Sequence, residues 1–298
     1  MLPFRKILFP LDFSGPCRNI VPRVREKLDR FGAELILVSA IDPLPLAAGP
    51  LEAPLFFPPA NQTEIYQCQL DQLRQFAVDH FPGLKPTVLV GVGDANQVIN
   101  DTLRHQGADL VMLPTHGHGV VRRLLLGSVT AKVLHDVDCA VWTVVPRPVP
   151  HEKAEEKAED APPEARFPYR RILCALSLDQ PDSAAVLRAA GSLAHSYDAE
   201  LSIIHAVDLP QAGLEYSYRE AILTAADHKL RQLRNDTGVH ADYELLVGDP
   251  VEQTRLTALR HHADLILTGR GQAREGTARL WSHLYALIRE APCPVLSI

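Results

Sequence analysis

Two tandem, doubly wound α/β units with mainly parallel sheets are the fold class predicted for this 298-residue chain, on three observations. Short apolar runs rich in Val, Ile and Leu alternate with stretches whose apolar residues recur at helical spacing. The alternation is written twice, with matching sequences in matching order. A charged segment with no apolar period divides the two copies.

In the first copy the strand-like runs are ILFPL (7–11), ELILVSAI (34–41), TVLVGV (87–92), DLVMLP (109–114) and CAVWTVV (139–145). Continuous apolar runs of this length suit strands covered on both faces. The stretches near 16–31, 62–80, 94–106 and 127–136 carry the helical period and supply the crossovers. Right-handed crossovers then give a Rossmann-like sheet of five strands in each copy, with expected order 3-2-1-4-5.

The second copy repeats the landmarks of the first. KILFPLDF (6–13) matches RILCALSL (171–178), and AELILVSAIDP (33–43) matches AELSIIHAVDLP (199–210). LVGVGDANQ (89–97) matches ELLVGDPVEQ (244–253), GADLVMLPTHG (107–117) matches HADLILTGRGQ (262–272), and CAVWTV (139–144) matches CPVLSI (293–298). Between the copies, 149–166 holds six acidic and three basic residues among Ala and Pro, which reads as a solvated linker. The expected division is therefore 1–148, linker 149–166 and 167–298.

Composition excludes several classes. Apolar residues at 46% and charged residues at 22% are those of a globular chain, and a net charge of −6 without a basic cluster argues against a nucleic-acid surface. No run approaches the roughly 20 apolar residues that cross a bilayer, and Asp12 interrupts the first apolar run before any cleavage site. Cys17, Cys68, Cys139, Cys174 and Cys293 are widely spaced without a CxxC pair. They read as reduced packing residues of a cytoplasmic protein, with no membrane and no nucleic acid among its partners.

Ligands of open α/β sheets settle beyond the carboxyl ends of the strands. The first strand leads there into Pro10-Leu11-Asp12, and the fourth ends in Leu113-Pro114 before Thr115-His116-Gly117. Farther on, Gly127-Ser128-Val129-Thr130 opens a helix, with Ser128 expected as its N-cap and Gly127 leaving room for close approach. A helix start of this kind favours phosphate. Simpler readings stand beside these: Gly127 as a turn residue, Ser128 as an ordinary cap, and Asp12 as an Asx turn or cap of the first helix. His116 and His118 lack partners at metal-ligand spacing, and Arg122 and Arg123 suit a solvated face as well as a phosphate.

Gly117, nine residues and then Gly127-Ser128, together with Asp12 after the first strand, resemble the nucleotide motif of the universal stress protein family. The resemblance spans both copies. It implies an ATP-type adenine nucleotide, with Pro10, Leu11 and Asp12 bordering the adenosine and Ala40 beside the base. Leu113 and Pro114 lie along the same wall, and Gly117, Gly127, Ser128, Val129 and Thr130 surround the phosphates. Whether a divalent metal accompanies the nucleotide is left open. Pro114 departs from the family pattern, occupying the position of its first Gly, where it removes an amide and adds a ring near the adenosine.

The second copy has Ser177 for Asp12 and Gln272 for Gly117, and Trp281-Ser282 falls at Gly127-Ser128. Its fourth loop is also shorter, with 29 positions from Asp264 to Cys293 against 30 from Asp109 to Cys139. It is expected to bind no nucleotide, and Gly269-Arg270-Gly271 reads as a loop. Three functions follow in order: a nucleotide-binding stress-response protein with one site, a ligand-free interaction scaffold, and a slow ATP hydrolase. The last is weakest because the motif contains no evident general base.

Two further expectations concern assembly. The final strands, 139–145 and 293–298, are expected to pair and so join the two copies, since exposed apolar edges invite pairing; further oligomerisation stays open. The long connection 43–60, with Leu46, Leu51, Leu55, Phe56 and Phe57, is expected to fold over the cleft as a lid or to pack on the other copy.

Overall fold

The computed structural model describes residues 3–42, 59–115, 126–144, 168–209, 216–270 and 278–298. The first half runs β1 (Lys6–Pro10), α1 (Gly15–Phe31), β2 (Glu34–Ile41), α2 (Pro59–His80), β3 (Thr87–Val92), α3 (Ala95–Gln106), β4 (Leu110–Pro114), α4 (Ser128–Asp136) and β5 (Ala140–Val144). The second runs β6 (Arg171–Ala175), α5 (Ser183–Tyr197), β7 (Glu200–Val207), α6 (Tyr216–Thr237), β8 (Asp242–Val247), α7 (Pro250–Arg260), β9 (Leu265–Thr268), α8 (Ala278–Glu290) and β10 (Val295–Ser297).

The described strands form one sheet in the order β3-β2-β1-β4-β5-β10-β9-β6-β7-β8. Counted within each half, the order is 3-2-1-4-5, with the switch point between the first and fourth strands. Every pairing is parallel except one: β10 runs antiparallel to β5, with Val295 opposite Thr143, Leu296 opposite Trp142 and Ser297 opposite Val141. That pairing carries the sheet from one half into the other and covers what would be two open edges.

Alternate residues of each strand feed opposite cores, as a pleat requires. Ile7 and Phe9 join Leu37, Met112 and Trp142 under α1 and α2, a layer that continues through Cys174 and Leu267 beneath α5. Leu8 joins Val38, Val111 and Val141 under α3 and α4, continuing through Leu173 and Ile266 toward α7 and α8. Each apolar layer is continuous across both halves.

Paired polar devices recur in both halves. Asp109, just before β4, accepts the backbone amides of Arg5 at 2.9 Å and Lys6 at 3.0 Å, and Asp264 accepts those of Arg170 at 2.8 Å and Arg171 at 2.9 Å. Asp94 and Asp249 cap α3 and α7 through their side chains. Left-handed backbone ends α1 at Gly32 (φ 61°), a conformation glycine adopts without strain, but the matching residue after α5 is Asp198 (φ 52°).

The thiols depart in one case from the packing role expected of them. Cys17, Cys174 and Cys293 are buried and Cys139 half-buried, but Cys68 is exposed on α2. A cysteine in the middle of a long amphipathic helix can fall on either face, and 68 falls on the outer one. The expected linker 149–166 and most of the 43–60 connection lie outside the described residues; Pro59 and Ala60 already belong to α2.

Candidate functional site

The carboxyl ends of β1, β2 and β4 and the first turns of α3 and α4 enclose a cleft of about 360 Å3. It brings together Pro10, Leu11, Asp12, Ala40, Leu113, Pro114, Gly127, Ser128, Val129 and Thr130, ten of the positions read from sequence. Gly117, with His116, His118, Arg122 and Arg123, lies outside the described residues. Cys17, Val38, Ala95, Val98 and Ile99 complete the walls. Val38 could have been read from the strand period, being two residues before Ala40. The α3 residues could not, because only packing brings that helix to the cleft.

The turn after β1 is held tightly. Leu11 donates its amide to the Val38 carbonyl at 2.8 Å, and its own carbonyl accepts from Ser39 Oγ at 2.8 Å. Gln69 Nε2 from α2 donates to the same Ser39 oxygen at 2.7 Å. Asp12 Oδ1 accepts the Ser14 amide at 2.9 Å, the Asx turn expected of it. Within that turn Phe13 takes φ 56°, an uncommon conformation for a bulky residue, while its ring packs edge-on against Phe76. Asp12 remains exposed at the mouth of the cleft.

Ser128 was expected to cap α4, but the structure gives the cap to Gly127 and makes Ser128 the first helical residue. Gly127 makes no side-chain capping bond, and this first turn of the helix, Gly127 to Thr130, lines the cleft. Its φ of −59° suits any residue, so the backbone conformation does not require glycine here. Gly127 donates its amide to the Thr115 carbonyl at 2.8 Å, and Thr130 Oγ1 donates to the Pro114 carbonyl at 3.0 Å. The Thr130 hydroxyl thus ties α4 to β4. Pro114 lies beyond the last β1 to β4 pair, Leu8 with Val111, where a missing amide breaks no bond of that ladder.

The cleft is mainly apolar, and among its described lining residues Asp12 alone carries a charge. At Gly91 on β3 an added Cβ would stand 2.5 Å from Val98 Cγ1, which explains a glycine in a strand beside this wall. Burial pushes the Cys17 thiol up to about 12, with Asp12 adding to the rise, so Cys17 is an apolar wall rather than a nucleophile.

The corresponding cavity in the second half measures about 130 Å3 and lies beside Ser177, Asp182 and Thr268. Its last helix, α8, has 13 residues against nine in α4, and it starts at Ala278. Aligning the Cys139 and Cys293 ends, α8 extends about one turn past the place where α4 begins. The residues in register with the first turn of α4 therefore fall inside the body of α8, where the helix itself satisfies their amides. The ring position expected for Trp281 lies outside the described side chains. Arg270 is also more than loop: its guanidinium donates to the carbonyls of Val137, at 2.6 Å, and Cys139 in the first half.

Among the described residues there is no group of three or more His, Cys, Asp or Glu placed to hold a metal ion, and no helix long and apolar enough to cross a membrane.

Comparison with known proteins agrees with this architecture. A universal stress protein from Thermus aquaticus is 34% identical over 141 residues, covering 47% of this chain and 98% of its own length. A solved universal stress protein from Archaeoglobus fulgidus has a TM-score of 0.61 at 19% identity, over 98% of this chain and 95% of that one. A solved Pseudomonas aeruginosa protein of unknown function has a TM-score of 0.66 at 15% identity, over 99% and 92% of the two chains. At such identities the structural likeness concerns the fold. The universal stress protein family model matches residues 3–145 and again 168–298, and with the same fold present in both segments the chain belongs to the universal stress protein family.

Proposed function

We propose that the first half, residues 1–148, binds one adenine nucleotide of the ATP type, and that the second half, 167–298, joined through 149–166, is its structural partner in a stress-response protein. The observation that carries this reading is the opening of α4 onto the same cleft as Asp12. An apolar slot between Val38, Ala40, Val98 and Leu113 suits a base, and the uncapped first turn at Gly127, Ser128 and Val129 suits phosphate. The exposed Asp12 carboxylate at the mouth suits ribose hydroxyls, which donate hydrogen bonds to carboxylates. A cleft of about 360 Å3 lies within the range of small-molecule sites, whereas the 130 Å3 cavity of the second half lies below it.

Calorimetry with ATP tests this. One site per chain is expected, lost in Gly127→Trp, whose ring would fill the phosphate end, and weakened in Asp12→Ala. Two sites, no binding, or binding indifferent to Gly127→Trp would overturn the reading. Absence of nucleotide from freshly purified protein together with a silent titration would favour a ligand-free scaffold.

A further inference from the structure

Helix α4 is held from two directions. Its first turn lines the cleft, and just past its last turn the carbonyls of Val137 and Cys139 accept the guanidinium of Arg270, which stands 133 and 131 positions away in the other half. Val137 is the C-cap residue of α4, so Arg270 places a cation where the helix dipole and its unsatisfied carbonyls favour one. The two donors of a planar guanidinium fix orientation as well as distance. Burial lowers the Arg270 pKa, with Cys139 and Asp138 pulling the other way.

The internal duplication shows what is particular to this contact. Arg270 occupies the place of Thr115: the Thr115 amide donates to the Val144 carbonyl at 2.9 Å and the Arg270 amide to the Ile298 carbonyl at 3.0 Å. The backbones are equivalent, but threonine carries no guanidinium, so the paired charged donation of Arg270 has no chemical counterpart in its side chain. This guanidinium tie runs from the second half to the helix that lines the first-half cleft. Within the first half, α4 is also tied to α3 through Asn96 Nδ2 and Asp136 Oδ2 at 2.6 Å and through Lys132 and Asp94 at 3.2 Å.

We propose that Arg270 is a positioning residue for the first-half cleft, holding α4 from its C-terminal end so that the turn at Gly127–Thr130 keeps its place; as a statement about ligand binding this rests on the nucleotide reading above. A nine-residue helix spans about 13 Å at roughly 1.5 Å per residue, and a rigid rod of that length passes a change at one end to the other. The half that has lost the phosphate-facing helix start thereby keeps a part in the site.

Hydrogen exchange on the full chain tests this without any ligand. Arg270→Ala is expected to speed exchange of the α4 amides roughly tenfold or more while leaving α3 and the global melting temperature nearly unchanged. Arg30→Ala is the control, because Arg30 also bonds across the seam, to the Ser196 carbonyl, but does not touch α4. Unchanged α4 exchange in Arg270→Ala, a uniform rise over the whole first half, or the same α4 response in Arg30→Ala would each overturn the proposal. Should Arg270→Ala fail to fold, Arg270→Lys, which keeps the charge and loses the paired geometry, is expected to show a smaller rise confined to α4, and no rise overturns it. In a parallel titration with ATP, Arg270→Ala is expected to bind roughly tenfold more weakly, within the ordinary range of coupling between sites, and equal affinity counts against the proposal. If the wild-type chain binds no ATP, the nucleotide reading falls by itself, while the exchange comparison still supports or overturns the hold of Arg270 on α4.

Discussion

Lys27 Nζ lies 4.4 Å from the centre of the Tyr169 ring, so a cation from α1 is buried against an aromatic that leads into the second half. Trp142 at 4.5 Å and Tyr197 at 5.3 Å close around it, and Glu26 is its carboxylate partner. Tyr197 also donates its hydroxyl to Glu26 Oε2 at 3.0 Å across the seam. Four residues before the end of the matching helix stands Leu193, and both side chains are fully buried. The duplication thus places a lysine and a leucine in equivalent apolar settings, and the lysine needs its carboxylate and aromatic faces to be tolerated there.

Stability should therefore depend on pH through Lys27. Burial pulls its ammonium down to about 7 from 10.5, with Glu26 opposing the fall and Arg23 and Arg30 adding to it. Below pH 7 both folded and unfolded chains hold the proton. As pH rises from 7 toward 10.5 the folded chain releases it while the unfolded chain keeps it, so stability increases, with a slope approaching about 1.4 kcal/mol per pH unit. Urea unfolding between pH 7 and 8 reads this while thiols, with an ordinary value of 9.0, stay mostly protonated in the unfolded chain. Lys27→Leu is expected to remove the rise, and equal slopes in the two proteins would refute the assignment.

The two aspartates before β4 and β9 should matter equally to both halves. Asp109→Ala and Asp264→Ala each strand backbone amides at the entry to β1 and β6, and each is expected to lower stability by about 2–4 kcal/mol. Asparagine keeps one acceptor oxygen and should recover part of the loss. Chemical denaturation of the four variants decides it: an Ala variant as stable as the parent would show that water satisfies those amides.

A single thiol should react rapidly in the native chain. Cys68 is exposed, while burial pushes the Cys139 thiol up to about 11 and that of Cys17 to about 12, and Cys174 and Cys293 are buried. A chromogenic disulfide reagent should titrate one fast equivalent before denaturation and all five after it. Loss of the fast phase in Cys68→Ser confirms the assignment, and a second fast thiol would contradict the placement of Cys139.

Much of the architecture was legible in the chain because it depends on local periods. Strands covered on both faces must be continuous apolar runs, and the five read in the first half differ from the observed strands by no more than one residue at either end. The duplication implies two equivalent units, the rule that ligands meet strand ends points to Pro10, Asp12 and Pro114, and the spacing from Gly117 marks Gly127. The cap of α4 was misplaced by one residue, since Gly127 and Ser128 are both acceptable caps and only the backbone path chooses between them. Asp109 and Asp264 looked like ordinary residues of repeated strand entries, because their amide partners lie more than 90 positions away. Lys27 and Arg270 were equally silent: a lysine on an amphipathic helix and an arginine in a loop acquire their roles only when the antiparallel pairing of β5 with β10 brings the two halves together. Side-chain chemistry and spacing along the chain decide what each segment becomes, whereas the neighbours of a charged group far away in sequence are set by packing, and here that packing passes through one seam.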